Sequence, residues 1–462
     1  MSLCLISVYL RYWLVVKLLH EAWTLAIEAL SWMDLEGLNE KLALARASKQ
    51  LEVKDVNALR LAHKMVLETM RKRNVIDFIL SRVLQPRLLS EFKLGVREFL
   101  RLYTHEIHFE KAKFEEAIDM VRTGRAILGW RELHSLEDVF GEIFNFDLEG
   151  AIGELGDEER VSLLTYNPRW FVRYCFRIFG RSEALKILES GMRNPPVYVR
   201  LNTLRVSERK ILKSLAAEGV RLRKVEGLRY TYKVLSTEKP LNRTKSFAEG
   251  LFYIQDLASC LAAEVADPKP GMTVLDVCAA PGAKTSFMAQ LMENRGRIFS
   301  IDYSRRRMGV WKNEIKRMGV KIARPVIADA CNPLPVKIEA DLVVLDPPCT
   351  STGAFAKLPS AKWRLNKRSP FKMAEIQWKM LVNCAEKVRS GGFLIYSTCS
   401  ICLEENEFLI ERFLRIFPKF RLVRAEPWIG KPGLRGLDEC QRLYPHVHKC
   451  NGFFVAKLLK ED

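Results

Sequence analysis

The chain has 462 residues, enough for about three domains of ordinary size, and its 74 Lys and Arg against 55 Asp and Glu give a formal charge of +19. That balance points to an anionic partner, while the lack of any run of about 18 uncharged apolar residues excludes a membrane-spanning protein. Eleven cysteines without a secretory signal, eight of them between Cys278 and Cys450 and several inside apolar strands, fit a reducing cytoplasm rather than a disulfide framework.

Residues 1–190 read as helix nearly throughout. Met1 to Leu10 is apolar, but Arg11 and Lys17 interrupt it, and its charge follows the apolar stretch instead of preceding it. A first amphipathic helix is therefore expected there, not a signal peptide. Leu35 to Leu44 and Val56 to Val83 carry apolar residues at three- and four-residue spacing, and Pro86 and Pro168 mark helix ends.

Residues 191–246 alternate. A strand is expected over Tyr198 to Leu204, a helix over Ser207 to Ala217 with Ser207 as N-cap, and strands over Val220 to Val225 and Tyr230 to Leu235. From Arg193 to Lys245 there are 14 Lys and Arg against 4 Asp and Glu, so the charge excess concentrates in a small α/β module suited to RNA.

Residues 247–462 read as a Rossmann-like α/β domain of about seven strands. Gln255 and Asp256 precede a helix. Val274 to Asp276 is a strand ending in an acid, followed by Cys278, Ala279, Ala280, Pro281, Gly282, Ala283 and Lys284, where small residues admit a ligand to the backbone before a helix opens. Asp302 ends a second strand, where a carboxylate suits a ribose diol, and Asp329 follows a third.

Two further apolar strands, Leu342 to Leu345 and Phe393 to Tyr396, lead to Asp346-Pro-Pro-Cys349 and Ser397-Thr-Cys399. In a parallel sheet their ends reach one crevice, so two thiols there suggest nucleophilic chemistry, one sulfur attacking and one assisting. The competing reading is that both are small core residues. Cys399 and Cys402 form a C-x-x-C without a second ligand pair or clustered histidines, so no metal is expected. The run Lys362 to Arg368, lying between the cysteine motifs, reads as a basic loop available to substrate phosphates or simply solvated.

The segments Cys278 to Thr285, Asp302 to Arg307, Asp346 to Cys349 and Tyr396 to Ser400 together resemble the Sun/Fmu-type RNA (cytosine-5) methyltransferases. Val199 to Leu204, Gly250 to Asp256 and Asn451 to Lys457 extend the likeness, which runs from about Tyr198 to the C-terminus with the motifs in family order. Ala283 departs from the pattern, where a second glycine is more usual. Leu94 to Tyr103 and Phe114 to Val121 resemble, more faintly, the NusB-like helical domain of some members.

The resemblance implies a cytoplasmic, monomeric enzyme that uses S-adenosylmethionine, no metal and no membrane, to form 5-methylcytosine in ribosomal or transfer RNA. Cytosine C5 is a poor nucleophile until a thiolate adds at C6, and a thiol of ordinary pKa is only about a tenth ionised at pH 7.5. By resemblance Cys399 attacks, Cys349 assists breakdown of the adduct, and Asp346 hydrogen-bonds cytosine N3 or N4 besides bordering the cofactor. Residues 278–284 would meet the methionine part of the cofactor, Asp302 the ribose and Asp329 the adenine. Arg307 would orient Asp302 or meet the cofactor carboxylate, and Lys284 would reach cofactor or base, or merely start the helix. A DNA cytosine-5 methyltransferase, in which the Pro-Cys thiol attacks, and a catalytically silent RNA-binding scaffold are the other readings.

Overall fold

The computed structural model describes Ser2–Asp462, with side chains from Lys17 onward. The chain forms two compact units, one comprising 1–193 with 355–366 and the other 194–354 with 367–462. Among the described residues no helix is long and apolar enough to cross a membrane.

The first unit is helical, beginning with the helix Ser2–Glu36; how the side chains of Met1 to Leu10 pack lies outside the described residues. Helix ends fall where capping chemistry puts them. Asp55 accepts the Asn57 and Ala58 amides at 2.8 Å and opens the helix Val56–Arg71, and Pro168 stands immediately before the helix Arg169–Phe179. The helix Leu94–His108 runs through the core, with Phe99, Leu100, Leu102 and Tyr103 buried. Its buried Arg101 is neutralised by Asp34, Asp77 and Glu98 at 2.6 to 2.8 Å, which makes an internal cation tolerable.

The basic run between the cysteine motifs is only partly solvated: Arg364, Lys367 and Arg368 are exposed. Its first part belongs to the helical unit and is packed there: Lys362 is fully buried and donates to the Tyr166 carbonyl at 2.7 Å. Trp363 donates to the Met70 carbonyl, and Arg364 to that of Gly37, each at 2.6 Å. Phe355 stacks edge-on against Phe171 with centroids 5.0 Å apart. Lys362, Trp363 and Arg364 each donate to a protein carbonyl, and burial keeps Lys362 from reaching a phosphate.

Burial pushes the Lys362 ammonium down to about 7 from its ordinary 10.5. The folded state then binds fewer protons than the unfolded chain between those values, so lysine burial costs most at neutral pH and stability rises with pH across the window. Lys362→Met is expected to melt above wild type at pH 7, with a gap that narrows toward pH 10 by at most about 1.4 kcal/mol per pH unit. Paired thermal scans at several pH values check this, and a constant gap would contradict it.

The second unit holds two sheets. The smaller has β1 (Tyr198–Leu201), β2 (Val220–Lys224), β3 (Thr231–Thr237) and β4 (Phe252–Ile254) in the antiparallel order β2-β3-β1-β4. The helix Glu208–Ala217 buries Ile211 and Leu215 in the same apolar cluster as Val199, Val220 and Tyr232. Ser207 occupies the N-cap position, but its side chain makes no capping hydrogen bond.

The larger sheet has nine strands: β5 (Thr273–Val277), β6 (Arg297–Asp302), β7 (Ala323–Ile327), β8 (Ala340–Leu345), β9 (Val388–Thr398), β10 (Phe420–Val423), β11 (Lys431–Pro432), β12 (Gln441–Leu443) and β13 (Phe453–Lys460). Its order is β11-β12-β13-β9-β8-β5-β6-β7, with β10 also on β13. Strands β7, β6, β5, β8 and β9 are parallel, and β13 joins them antiparallel. Nearly all of β8 is buried and apolar, as a central parallel strand covered on both faces requires. The order reverses between β5 and β8, and a crevice opens beyond the carboxyl ends of strands at such a point.

Candidate active site

Register brings the predicted residues together. Val277 pairs with Leu345 and Leu345 with Tyr396, so the ends of β5 and β8 lie level with Tyr396 of β9, which runs two residues further, and Cys278, Asp346 and Ser397 come next on their chains. On the other side Val277 pairs with Ile301, and Asp302 follows.

The turn after β5 is shaped for close approach. Cys278 has φ +65° and Gly282 φ +107°, where an added Cβ would stand 3.1 Å from Trp311. Glycine is therefore favoured at 282 by its conformation, and a side chain there would also be a tight fit against Trp311. The helix Ala283–Leu291 starts at once, leaving its first amides without intrahelical acceptors at the crevice. Asp302, buried, accepts the Ala280 amide at 3.2 Å and the Ser304 amide at 3.1 Å. Arg307 lies 3.1 Å from the same carboxylate and also donates to the Ala280 carbonyl, so the contact present is the one that orients Asp302. Asp329 is exposed beyond β7 and accepts the Cys331 amide at 2.9 Å.

Other predicted polar residues are committed to the framework. Asp276 is buried and bonded to the Thr285 hydroxyl; burial pushes its carboxyl up to about 7, so it braces the helix start from inside. Gln255 accepts from the wholly buried Arg200 at 3.0 Å and donates to Ser259 at 3.1 Å, and Asp256 caps the helix Leu257–Ala266. Arg200 also donates to Gln290 and Ser286, which fastens β1 of the small sheet to the helix behind the turn.

The two thiols are in contact. Cys349 Sγ and Cys399 Sγ are 3.2 Å apart, both half-buried, and Ser351 Oγ is 3.4 Å from Cys399 Sγ. Lys284 forms an ion pair with Asp346, which also accepts from Ser397 at 3.3 Å. The contact with Cys349, together with the Ser351 hydroxyl and the Lys284 ammonium, holds the Cys399 thiol below its ordinary value. Cys349 moves the opposite way, first through that same contact, then through burial. Burial likewise raises Cys260, Cys278, Cys384, Cys402 and Cys440, as inert core thiols should behave.

One group was missed by sequence reasoning. Glu405 is fully buried and accepts the Thr350 amide at 2.8 Å, the Thr350 hydroxyl, the Ser400 hydroxyl at 2.6 Å and the Gln377 amide at 2.9 Å. Two of these partners, Thr350 and Ser400, are the residues directly after the two cysteines. Three acids among four residues, Glu404 to Glu407, shortly after Cys399 were the available signal. The terminal Asn451-Gly452 motif also finds its place: Gly452 donates to the Gly353 carbonyl at 2.8 Å, and Gly353 to that of Cys399 at 3.0 Å. A Cβ on Gly353 would stand 2.1 Å from the Gly452 carbonyl oxygen, so the loops cross at a distance only glycine permits.

A parallel sheet with this reversal, an antiparallel β13 and a strand-end acid beside a glycine turn defines a Rossmann-like methyltransferase. A family model described as "16S rRNA methyltransferase RsmB/F" matches residues 263–459, and the ferredoxin-like domain of the same proteins matches 167–233. A probable ribosomal RNA small subunit methyltransferase B of Bacillus subtilis is 28% identical over 95% of this chain and 98% of its own. One of Synechocystis is 30% identical over 66% of this chain and 69% of its own. The crystal structure of PH0851 superposes with a TM-score of 0.83 at 29% identity, covering 96% of this chain and 99% of the other. The chain belongs to the Sun/Fmu-type RNA (cytosine-5) methyltransferase family, and it is an enzyme of that class.

Proposed function

We propose that the protein forms 5-methylcytosine in small-subunit ribosomal RNA, through a covalent adduct of Cys399, as a monomer in the cytoplasm. The observation that carries this is the thiol pair, two half-exposed sulfurs in contact with the proton drawn toward Cys349. The Cys399 thiolate adds to C6 of the cytosine, and the electron pair displaced into the ring is neutralised by a proton at N3, passed from the Lys284 ammonium through Asp346, which Lys284 and Ser397 hold in place. This makes C5 nucleophilic. S-adenosylmethionine supplies an electrophilic methyl group. Once C5 has gained it, loss of the C5 proton and expulsion of the Cys399 thiolate regenerate the aromatic ring, with Cys349 assisting that release.

The cradle suits that methyl donor. Residues 278–284 offer backbone to its methionine part, Asp302 offers carboxylate oxygens to a ribose, and Asp329 stands where adenine would lie. Ala283 begins a regular helix, so the methyl group it adds relative to glycine does not disturb the turn. We further assign residues 1–190 to a NusB-like helical domain, 191–246 to the RNA-binding module and 247–462 to catalysis.

The relatives named above for ribosomal RNA favour that substrate over transfer RNA. Bisulfite sequencing of total RNA from a deletion strain and its parent tests the choice directly. Loss of one 5-methylcytosine in small-subunit ribosomal RNA supports it, and loss in transfer RNA alone replaces it.

Arg221, Arg223 and Lys224 are exposed on β2, the densest basic stretch, although Lys224 already pairs with Glu208 at 3.4 Å. Neutralising all three is expected to weaken RNA binding and to flatten its salt dependence by up to about two units of log–log slope. Affinity for S-adenosylmethionine should not change. Anisotropy titrations across a salt series read the slope, and a wild-type slope would make this charge a solvated face.

A further inference from the structure

Glu405 stands between the two cysteine loops and touches neither sulfur. Through Thr350 it holds the loop that follows Cys349, and through Ser400 the loop that follows Cys399. It is itself fixed by Gln377 and by the Tyr396 hydroxyl, which donates to its backbone carbonyl at 2.7 Å. Four donors converge on its two oxygens, the pattern of an ionised acid.

The charges around the two sulfurs differ. At Cys399 the Asp346 carboxylate at the end of β8 raises the thiol while the Lys284 ammonium, paired with it from the helix after β5, lowers it; Ser351 also faces that sulfur, and Ser397 of β9 holds Asp346. Glu405, from the turn Leu403–Glu405, acts on Cys349. A negative charge disfavours a thiolate at the sulfur beside it.

The geometry points to Glu405 as the positioning residue of the thiol pair: it holds both loops and keeps their shared proton on Cys349, so that Cys399 is the sulfur that reacts. This rests on the covalent reading above. The mechanism needs two unlike sulfurs, and two cysteines in contact are alike until something outside the pair distinguishes them. A buried carboxylate reaching both loops, yet closer in effect to one sulfur, does so.

Alkylation of the free full-length enzyme with substoichiometric iodoacetamide at pH 7.5, read by peptide mass mapping, tests this without any RNA. Wild type is expected to take label at Cys399 in preference to Cys349. Glu405→Gln preserves the shape and lets both hydroxyls reverse their hydrogen bonds, and it should reduce that preference about tenfold, the equivalent of one pKa unit. An unchanged preference in a variant that still binds S-adenosylmethionine overturns the role. Preference for Cys349 in wild type overturns instead the assignment of the nucleophile. Thr350→Val removes one arm while leaving the charge, and gives a second reading should Glu405→Gln fail to fold. It is expected to raise labelling of Cys349 severalfold with the Cys399 rate unchanged, and Cys349 protected as in wild type would overturn the proposal.

Discussion

Cys399→Ala is expected to abolish methylation and to form no covalent complex with RNA, whereas Cys349→Ala is expected to attack, methylate and then stall. The asymmetry follows from the proton between the sulfurs. Either sulfur can donate across their 3.2 Å contact, and that contact lowers the Cys399 thiol and raises Cys349. Removing Cys349 leaves Ser351 at 3.4 Å and Lys284 to support the remaining thiolate, so attack survives, while the group next to the adduct that assists release is gone. A denaturing gel should show the Cys349→Ala protein as a shifted band that needs S-adenosylmethionine and disappears with RNase. The reverse pattern, with Cys399→Ala trapped and Cys349→Ala unable to attack, would mean the arrangement of DNA cytosine-5 methyltransferases. Methylation unaffected by either change would return both thiols to the role of core packing and end the covalent mechanism.

Much of this site was legible because its parts sit at strand ends. A parallel strand announces itself as a short apolar run, and the residues after it must lie at the carboxyl edge, so Cys278, Asp302, Asp346 and Cys399 could be placed from local pattern alone. What depended on distant partners was not legible. Glu405 reads as one acid among several until Thr350, 55 positions earlier, is seen to bind it. Lys362, Trp363 and Arg364 read as a solvated basic loop because charge normally seeks water; the carbonyls they donate to are 196 to 327 positions away, and only Lys362 is buried. The strand count fell short, at about seven against nine, because β11 and β12 span two and three residues, too few for any periodicity to register.

Asp302→Ala is expected to weaken binding of S-adenosylmethionine by roughly 2 kcal/mol or more, about thirtyfold, while RNA affinity stays near wild type. Two losses combine. The carboxylate would give up charge-assisted hydrogen bonds to a ribose, and it would also release the Ala280 amide and Arg307, which it now holds at 3.2 and 3.1 Å. Those contacts fix the turn that leads into the helix Ala283–Leu291, so the methionine end of the cradle loosens as well. Asp302→Asn separates the two contributions. Its side-chain oxygen still accepts the Ala280 amide, so that side of the turn is retained while the charge and the acceptor for the Ser304 amide are lost, and the deficit should be smaller than for alanine. Calorimetric titration with S-adenosylmethionine, beside thermal melts of each variant, gives the comparison. Equal affinity in wild type and Asp302→Ala would contradict the ribose assignment, and equal losses in both variants would place the whole effect in the charge.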